Sequence, residues 1–509
     1  MFVLESINKY AKTGRIAWRG REGSLSFAEL DARSEAFAAW LTQRFGSGLS
    51  PVMIYGQKEK DFLPCVFGAL KSGRAYVPVD ASMPPGRAME IAAEVKPCVI
   101  ADFSGIDNEP LTAANNEAVL DGKALESILQ APPKMQIPRE RWVAGENTAY
   151  ILFTSGSTGK PKGVPITAAN LGSFYRGLLP YMPGEEGGVI LDQVSYSFDV
   201  SCCPIYAGLG RGMTLLAVDK EMTEDIGALF GLLRDSGLNM WVSTPSFAEV
   251  CVRSKAFSSE LMPFLRDFLF CGEVLTHKLC DQLAERFPKT RLLNTYGPTE
   301  ATVLVTAVCV TEEMRRAPEP IPIGRPLDGV ELRLDAENGC GRGELLIIGG
   351  SVGPGYHMRP DLTAERFFQD KETGRRGYRT GDICTCCGGL YYYLGRADNQ
   401  LKISGYRVEI EDIEKNLAKL DNILQAAVIP VWEDEKVQYL AAFILPERDD
   451  GLTPLKRAIT IKKQAAALLP AYMIPRKFIA MDAFPLNING KIDKKELAKR
   501  LLETENTKT

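Results

Sequence analysis

The sequence predicts an α/β protein with a large N-terminal domain of helix-covered, mostly parallel sheets and a small α+β C-terminal domain. Three observations predict it. Through about residue 395, short β-branched runs alternate with helical stretches, the pattern of parallel strands joined by crossover helices. From about residue 399 the order changes to strand–helix–strand–strand. And 509 residues exceed one ordinary domain while allowing a sizeable core.

Pro51–Tyr55 reads as a buried strand, Asp61–Ser72 as the helix after it, and Tyr76–Val79 and Cys98–Ile100 as further strands. Glu109–Arg141, with Pro132 and Pro133, reads as a surface excursion leading into the strand Ala149–Phe153. Beyond the change in texture, Gln400–Ile403 is a strand, Glu409–Leu420 a helix, and Ala426–Val431 and Tyr439–Leu445 strands. A helix at Leu455–Leu468 and a basic, polar tail complete a module of ordinary domain size. The expected boundaries are 1–397 and 398–509, joined at Gly395-Arg-Ala-Asp398.

Composition excludes several classes. With 45% hydrophobic and 24% charged residues the chain is globular. A net charge of −4 without a clustered basic excess argues against nucleic acid as a partner. No apolar run approaches the ~20 residues of a membrane span, so membrane insertion is not expected. Met1–Trp18 interleaves Glu5, Lys9, Lys12 and Arg15 with apolar residues, unlike an export signal, so the expected location is cytoplasmic. The 12 cysteines are scattered and read as small buried thiols. Cys384, Cys386 and Cys387 contain a C-x-x-C spacing but lack a second pair, and the following Gly388-Gly389 reads as a turn between strands. The two histidines, His277 and His357, have no G-x-S-x-G nucleophile nearby, which argues against triad hydrolysis.

The chemistry is written most clearly in Thr154-Ser-Gly-Ser-Thr-Gly-Lys-Pro-Lys-Gly163, directly after a buried strand. Its glycines let backbone approach a ligand, and its hydroxyls and lysines supply donors for phosphate oxygens. Pro161 stands where a Walker A loop needs Ser or Thr. Gly208, Gly210 and Gly212 lack the third glycine of a dinucleotide fingerprint and read as a packed turn.

With that loop, Asn294-Thr-Tyr-Gly-Pro-Thr-Glu300, Tyr378-Arg-Thr-Gly-Asp382, Gly395-Arg-Ala-Asp398, Lys402-Ile-Ser-Gly-Tyr-Arg407 and Asn489-Gly-Lys491 follow in order. This series resembles the adenylate-forming superfamily of acyl-CoA synthetases, luciferases and nonribosomal adenylation domains, and it covers essentially the whole chain. The resemblance implies an ATP site formed by Thr154, Ser155, Gly156, Ser157, Thr158, Gly159 and Lys160, then Asn294, Thr295, Tyr296, Gly297, Pro298 and Thr299. Asp382, Tyr393, Leu394, Gly395, Arg396, Arg407 and Lys491 would complete it, with Mg²⁺ at Glu300 and Asp398 as the hinge of a mobile C-terminal domain. The residue types suit these roles. A carboxylate such as Asp382 can accept from both ribose hydroxyls, Tyr296 offers a stacking face for adenine, and Glu300 is a hard oxygen ligand. Lys491 is the candidate catalytic cation: charge builds on the α-phosphate as a carboxylate attacks it, and one well-aimed donor is worth roughly 3–4 kcal/mol there.

An amino acid substrate needs a buried counter-charge for its ammonium. Asp199, in Tyr196-Ser-Phe-Asp-Val-Ser201, stands where amino-acid-activating members carry that aspartate, although it could instead cap the helix that follows. Ser50–Gly56, Met240–Glu249, Phe268–Leu275 and Leu469–Phe478 resemble the D-alanine–D-alanyl carrier protein ligase family more narrowly. Members activate D-alanine and load it onto the phosphopantetheine thiol of a carrier protein, on the way to lipoteichoic acid D-alanylation. The resemblance puts Cys271 and Val303 with Asp199 in the substrate pocket, Cys271 as a small wall rather than a nucleophile, and Lys491 beside the substrate. One segment departs: where the family continues toward Met-Asp-Ile-Tyr-Pro, this chain has Cys202-Cys203-Pro204-Ile205-Tyr206-Ala207. Glycine, β-alanine or L-alanine as substrate, an acyl-CoA ligase, and a silent adenylate-binding protein stay open at this point.

Overall fold

The computed structural model describes residues 1–105, 118–133, 135–156, 159–183, 186–336, 341–397, 400–403, 405–433, 436–448, 451–485 and 492–506. These form two compact units. The first comprises Met1–Ala81, Ala92–Phe153 and Gly163–Asp398; the second comprises Ser82–Ile91, Thr154–Lys162 and Asn399–Thr509.

In the first unit, a six-stranded sheet runs Ala118–Leu120, Val99–Asp102, Val52–Gly56, Tyr76–Asp80, Thr148–Thr154 and Lys162–Thr167. Val52–Gly56 is buried along its whole length because it lies between two parallel neighbours, so it reads as a continuous apolar run with no polar face. A nine-stranded sheet runs Arg325–Pro326, Thr306–Cys309, Arg291–Tyr296, Asp267–Phe270, Leu238–Ser243, Val189–Asp192, Thr214–Ala217, Ile16–Gly20 and Gly23–Ser26. Its central strands are parallel, so Asp192, Ser243, Phe270 and Tyr296 all end at one edge. In open parallel sheets that carboxyl edge is where ligands bind. A five-stranded antiparallel sheet holds Arg376–Cys387 between its neighbours, and Leu390–Arg396 returns along it after Gly388 and Gly389, both at positive φ. The C-x-x-C run is thus the expected strand and turn.

Helix Phe27–Phe45 shows how local sequence sets a boundary. Ser26 and Glu29 form a reciprocal capping box, and Gly46 ends the helix at φ 62°. The described part of the Glu109–Arg141 excursion carries regular structure. It contributes strand Ala118–Leu120 and helix Gly122–Gln130, which is capped by Asp121 and packed through Leu125 and Leu129.

In the second unit, the hairpin Gln400–Ile403 and Tyr406–Glu409 precedes helix Ile410–Leu417. Strands Ile423–Glu433, Lys436–Pro446 and Lys477–Ala480 then form a sheet. The polar tail folds as well: helix Lys494–Asn506 sets Leu497 and Leu501 into the core one turn apart. Two apolar residues in a charged helix suffice because an i, i+4 pair faces one way.

Candidate active site

The substrate-pocket candidates meet at the carboxyl edge of the nine-stranded sheet. Asp199 opens a 3₁₀ turn and is 5% exposed; it does not cap the helix that follows. The Cys271 thiol, just past strand Asp267–Phe270, reaches the Val303 carbonyl at 3.9 Å. Val303 has φ 72° and follows Thr302 at φ 60°. A β-branched residue in the left-handed region costs of order 1–3 kcal/mol and persists only where its surroundings enforce it. Here Thr302 donates to the Ser351 carbonyl at 2.6 Å and Leu304 N donates back to the Thr302 carbonyl at 2.9 Å. Gly297 is required by the same segment, because a Cβ there would lie 2.5 Å from the Leu304 Cα.

The departing segment takes an unusual form: Cys203–Gly208 is a π-helical turn with every residue buried. Such turns often sit at functional sites. Burial pushes the Cys203 thiol well above its ordinary value, with Cys271, Cys202 and Asp199 adding to the shift. Burial and Asp199 likewise raise Cys202. Both thiols are therefore neutral and poor nucleophiles. None of the described cysteines is in a disulfide.

A second group in the first unit centres on Asp382, buried in strand Arg376–Cys387. The Tyr296 hydroxyl donates to its Oδ2, and Arg396 pairs with Oδ1 at 2.6 Å. The Asp382 amide bonds Thr380 Oγ1, which in turn donates to the Leu345 carbonyl. The carboxylate is thus fixed in orientation, and each oxygen has a second lone pair for a diol. Burial, and then Asp382, push the Tyr296 phenol well above its ordinary value. It remains a neutral donor, and its ring is 5% exposed. Asn294 donates to the Pro322 carbonyl and Thr295 to the Phe270 carbonyl, so these side chains hold the strand end in place. Pro298 and Thr299 lead into the 3₁₀ turn that carries Glu300. Tyr393, Leu394 and Gly395 lie beside Arg396 on strand Leu390–Arg396, with Leu394 exposed.

Glu300 is fully buried and accepts from the Tyr356 hydroxyl at 2.7 Å; that hydroxyl lies 3.4 Å from the Tyr378 hydroxyl. Tyr356 lies outside every sequence motif, and Tyr378 enters only as the first residue of the Asp382 motif. Among the described residues no group of three or more His, Cys, Asp or Glu could hold a metal. One buried carboxylate is nevertheless what Mg²⁺ takes when phosphates and water supply its other oxygens.

In the second unit, Thr154 has a buried hydroxyl with no hydrogen-bond partner among the described residues. Ser155 donates to the Arg407 carbonyl at 2.8 Å and accepts from Glu409 N at 3.1 Å. Gly156 cannot carry a side chain, because its Cβ would meet the Lys160 carbonyl at 2.3 Å. Gly159, at φ 82°, donates its amide to the Gly156 carbonyl at 2.9 Å. Lys160 is exposed, and Arg407 Nε donates to Gln400 at 2.8 Å. Ser157, Thr158, Asp398 and Lys491 lie outside the described residues.

The fold and these groups define an adenylate-forming enzyme. The AMP-binding enzyme family model matches residues 5–357, and that of the AMP-binding enzyme C-terminal domain matches 412–491. A D-alanine–D-alanyl carrier protein ligase of Bacillus licheniformis is 39% identical over 98% of this chain and 99% of its own. Its counterpart from Bacillus cytotoxicus is 37% identical over the same shares of each chain. The chain belongs to the AMP-binding enzymes and, within them, to the D-alanine–D-alanyl carrier protein ligase family. Among solved structures, a Vibrio cholerae adenylation domain in complex with glycyl-adenosine-5'-phosphate shares the fold, with a TM-score of 0.79 at 22% identity over 99% of this chain and 97% of that one. Ligases of this class act through an acyl-adenylate and use ATP.

Proposed function

We propose that this chain activates D-alanine with ATP as D-alanyl-AMP, releasing pyrophosphate, and then transfers the D-alanyl group to the phosphopantetheine thiol of a D-alanyl carrier protein. The observation that carries the reading is 39% identity extending over nearly the full length of both chains. The geometry supports it in parts. Asp199 supplies the counter-charge for the substrate ammonium, and Cys271 and Val303 bound a pocket suited to a methyl side chain. Asp382, held by Tyr296 and Arg396, receives the ribose hydroxyls. Thr154 and its loop take phosphate oxygens.

In the first half-reaction a D-alanine carboxylate oxygen attacks the α-phosphorus and pyrophosphate leaves. Lys491 bears on the charge that develops, and Glu300 would hold a Mg²⁺ ion, which neutralises phosphate charge when bound. In the second, the carrier thiol, losing its proton, attacks the acyl carbon and AMP leaves. The proposed division into 1–397 and 398–509, with Asp398 as hinge, lets Lys491 serve the first half-reaction and withdraw for the second. Among the described residues no helix is long and apolar enough to cross a membrane; the proposed compartment is the cytoplasm, where ATP is supplied.

Amino-acid-dependent ATP–pyrophosphate exchange with D-alanine, L-alanine, glycine, β-alanine and D-serine tests the reading. Strongest exchange with D-alanine is expected. Preference for another of the five keeps the chemistry and replaces the substrate, and silence with all of them overturns the proposal.

A further inference from the structure

Lys58 lies in the loop that follows strand Val52–Gly56 of the six-stranded sheet, and it is buried. Its ammonium donates to Asp192 Oδ1 at 2.5 Å and to the Val194 carbonyl at 2.7 Å. The same charge sits 3.6 Å from the centre of the Tyr196 ring. Tyr196 in turn donates its hydroxyl to Asp192 Oδ2 at 2.6 Å. Asp192 ends strand Val189–Asp192 of the nine-stranded sheet, so this buried pair joins the carboxyl edges of the two sheets.

The segment so gripped is the one that leads into Asp199. Asp192, Val194 and Tyr196 are held around Lys58. Ser195 is held separately, its hydroxyl donating to Asp80 at the end of strand Tyr76–Asp80, whose other oxygen accepts from Gln57 at 3.0 Å. Phe198 N then bonds the Ser195 carbonyl at 3.0 Å, and Asp199 is the next residue. We propose that Lys58 is a positioning residue for the amino acid substrate: it fixes the Gln193–Phe198 segment so that Asp199 meets the substrate ammonium. The proposal rests on the reading of Asp199 given above.

Stability alone does not account for the pair, because a buried ion pair replaced by neutral groups of similar size is often no less stable. Removing one partner, in contrast, strands the other charge. That difference separates positioning from simple support. Lys58→Met strands Asp192. Lys58→Met with Asp192→Asn removes both charges and keeps an acceptor for the Tyr196 hydroxyl.

The experiment measures melting temperature and exchange kinetics for the full chain and both variants. Positioning predicts that the double variant recovers most of the melting temperature lost in Lys58→Met. Its KM for D-alanine stays raised by tenfold or more, while its KM for ATP stays within twofold of the starting protein. Recovery of the D-alanine KM in the double variant overturns the proposal, as does a parallel rise in both KM values. Should Lys58→Met fail to fold, the double variant alone decides. Amide hydrogen exchange over residues 193–201 gives a readout that needs no turnover. Faster exchange there in the double variant supports the anchor and unchanged exchange overturns it, even if the starting protein activates no amino acid and the reading of its function falls.

Discussion

Asp199 is 5% exposed and within electrostatic reach of the neutral thiols Cys202 and Cys203, so the ammonium proposed to pair with it would do so in a medium of low polarity. Breaking such a buried pair costs about 3–5 kcal/mol. Asp199→Asn is therefore expected to lower D-alanine-dependent exchange at least a hundredfold, with the KM for ATP little changed; equal loss against both substrates would instead indicate a collapsed site. Glu59, next to Lys58, behaves differently. Burial raises its carboxyl to about 7, against an ordinary value of 4.5. The folded chain thus keeps a proton that the unfolded chain has released, and stability declines as pH rises from 4.5 to about 7. Glu59→Gln, which keeps an acceptor for the Gln57 amide, removes that loss. It should stabilise the protein by about 3 kcal/mol at pH 8 and by little near pH 4.5, as read from denaturant unfolding at the two values.

At the scale of elements, the most constrained stretch runs from Gly297 to Leu304, where two non-glycine residues hold positive φ and the backbone doubles back on itself. Gly297→Ala places a methyl group against the Leu304 Cα and the Val303 carbonyl, both backbone, so neither can rotate aside. Overpacking of this kind costs about 1–3 kcal/mol. A lower melting temperature and a raised KM for D-alanine are expected together, because the atom that must move belongs to Val303, proposed to bound the substrate pocket. A lower melting temperature alone would detach this segment from substrate binding. Regular elements were legible where the sequence texture marks them: Val52–Gly56 is apolar throughout, and the stretch from Glu409 carries the helix Ile410–Leu417. The π-helical turn Cys203–Gly208 and the left-handed pair Thr302–Val303 were not. Thr302 and Val303 are β-branched residues that ordinarily avoid positive φ, and Gly208 only closes the π-helical turn, so no local pattern advertises either geometry.

Across the whole molecule, motif order marks the residues proposed to handle the nucleotide, whereas their supports are visible only in the fold. The Tyr296 and Arg396 grip on Asp382, the Tyr356 hydroxyl on Glu300 and the Lys58–Asp192 pair join residues 14 to 134 positions apart, a distance no local pattern encodes. Lys491 and Asp398 rest on sequence, and the two half-reactions separate their roles. Lys491 acts where charge builds on the α-phosphate, so Lys491→Ala should slow adenylate formation by roughly a hundredfold or more, the value of one lost donor. Transfer from supplied D-alanyl-AMP to the carrier thiol breaks the acyl C–O bond with Lys491, in the proposed division of labour, withdrawn, so it should proceed at close to its normal rate. Asp398→Pro fixes φ at the proposed hinge, so it should spare one half-reaction and block the other, whichever arrangement proline favours. Pyrophosphate exchange reads the first step, and loading of the carrier from supplied adenylate reads the second. If Asp398→Pro leaves both rates unchanged, residue 398 is not the hinge. If Lys491→Ala slows both equally, the lysine shapes the binding of adenylate rather than its formation.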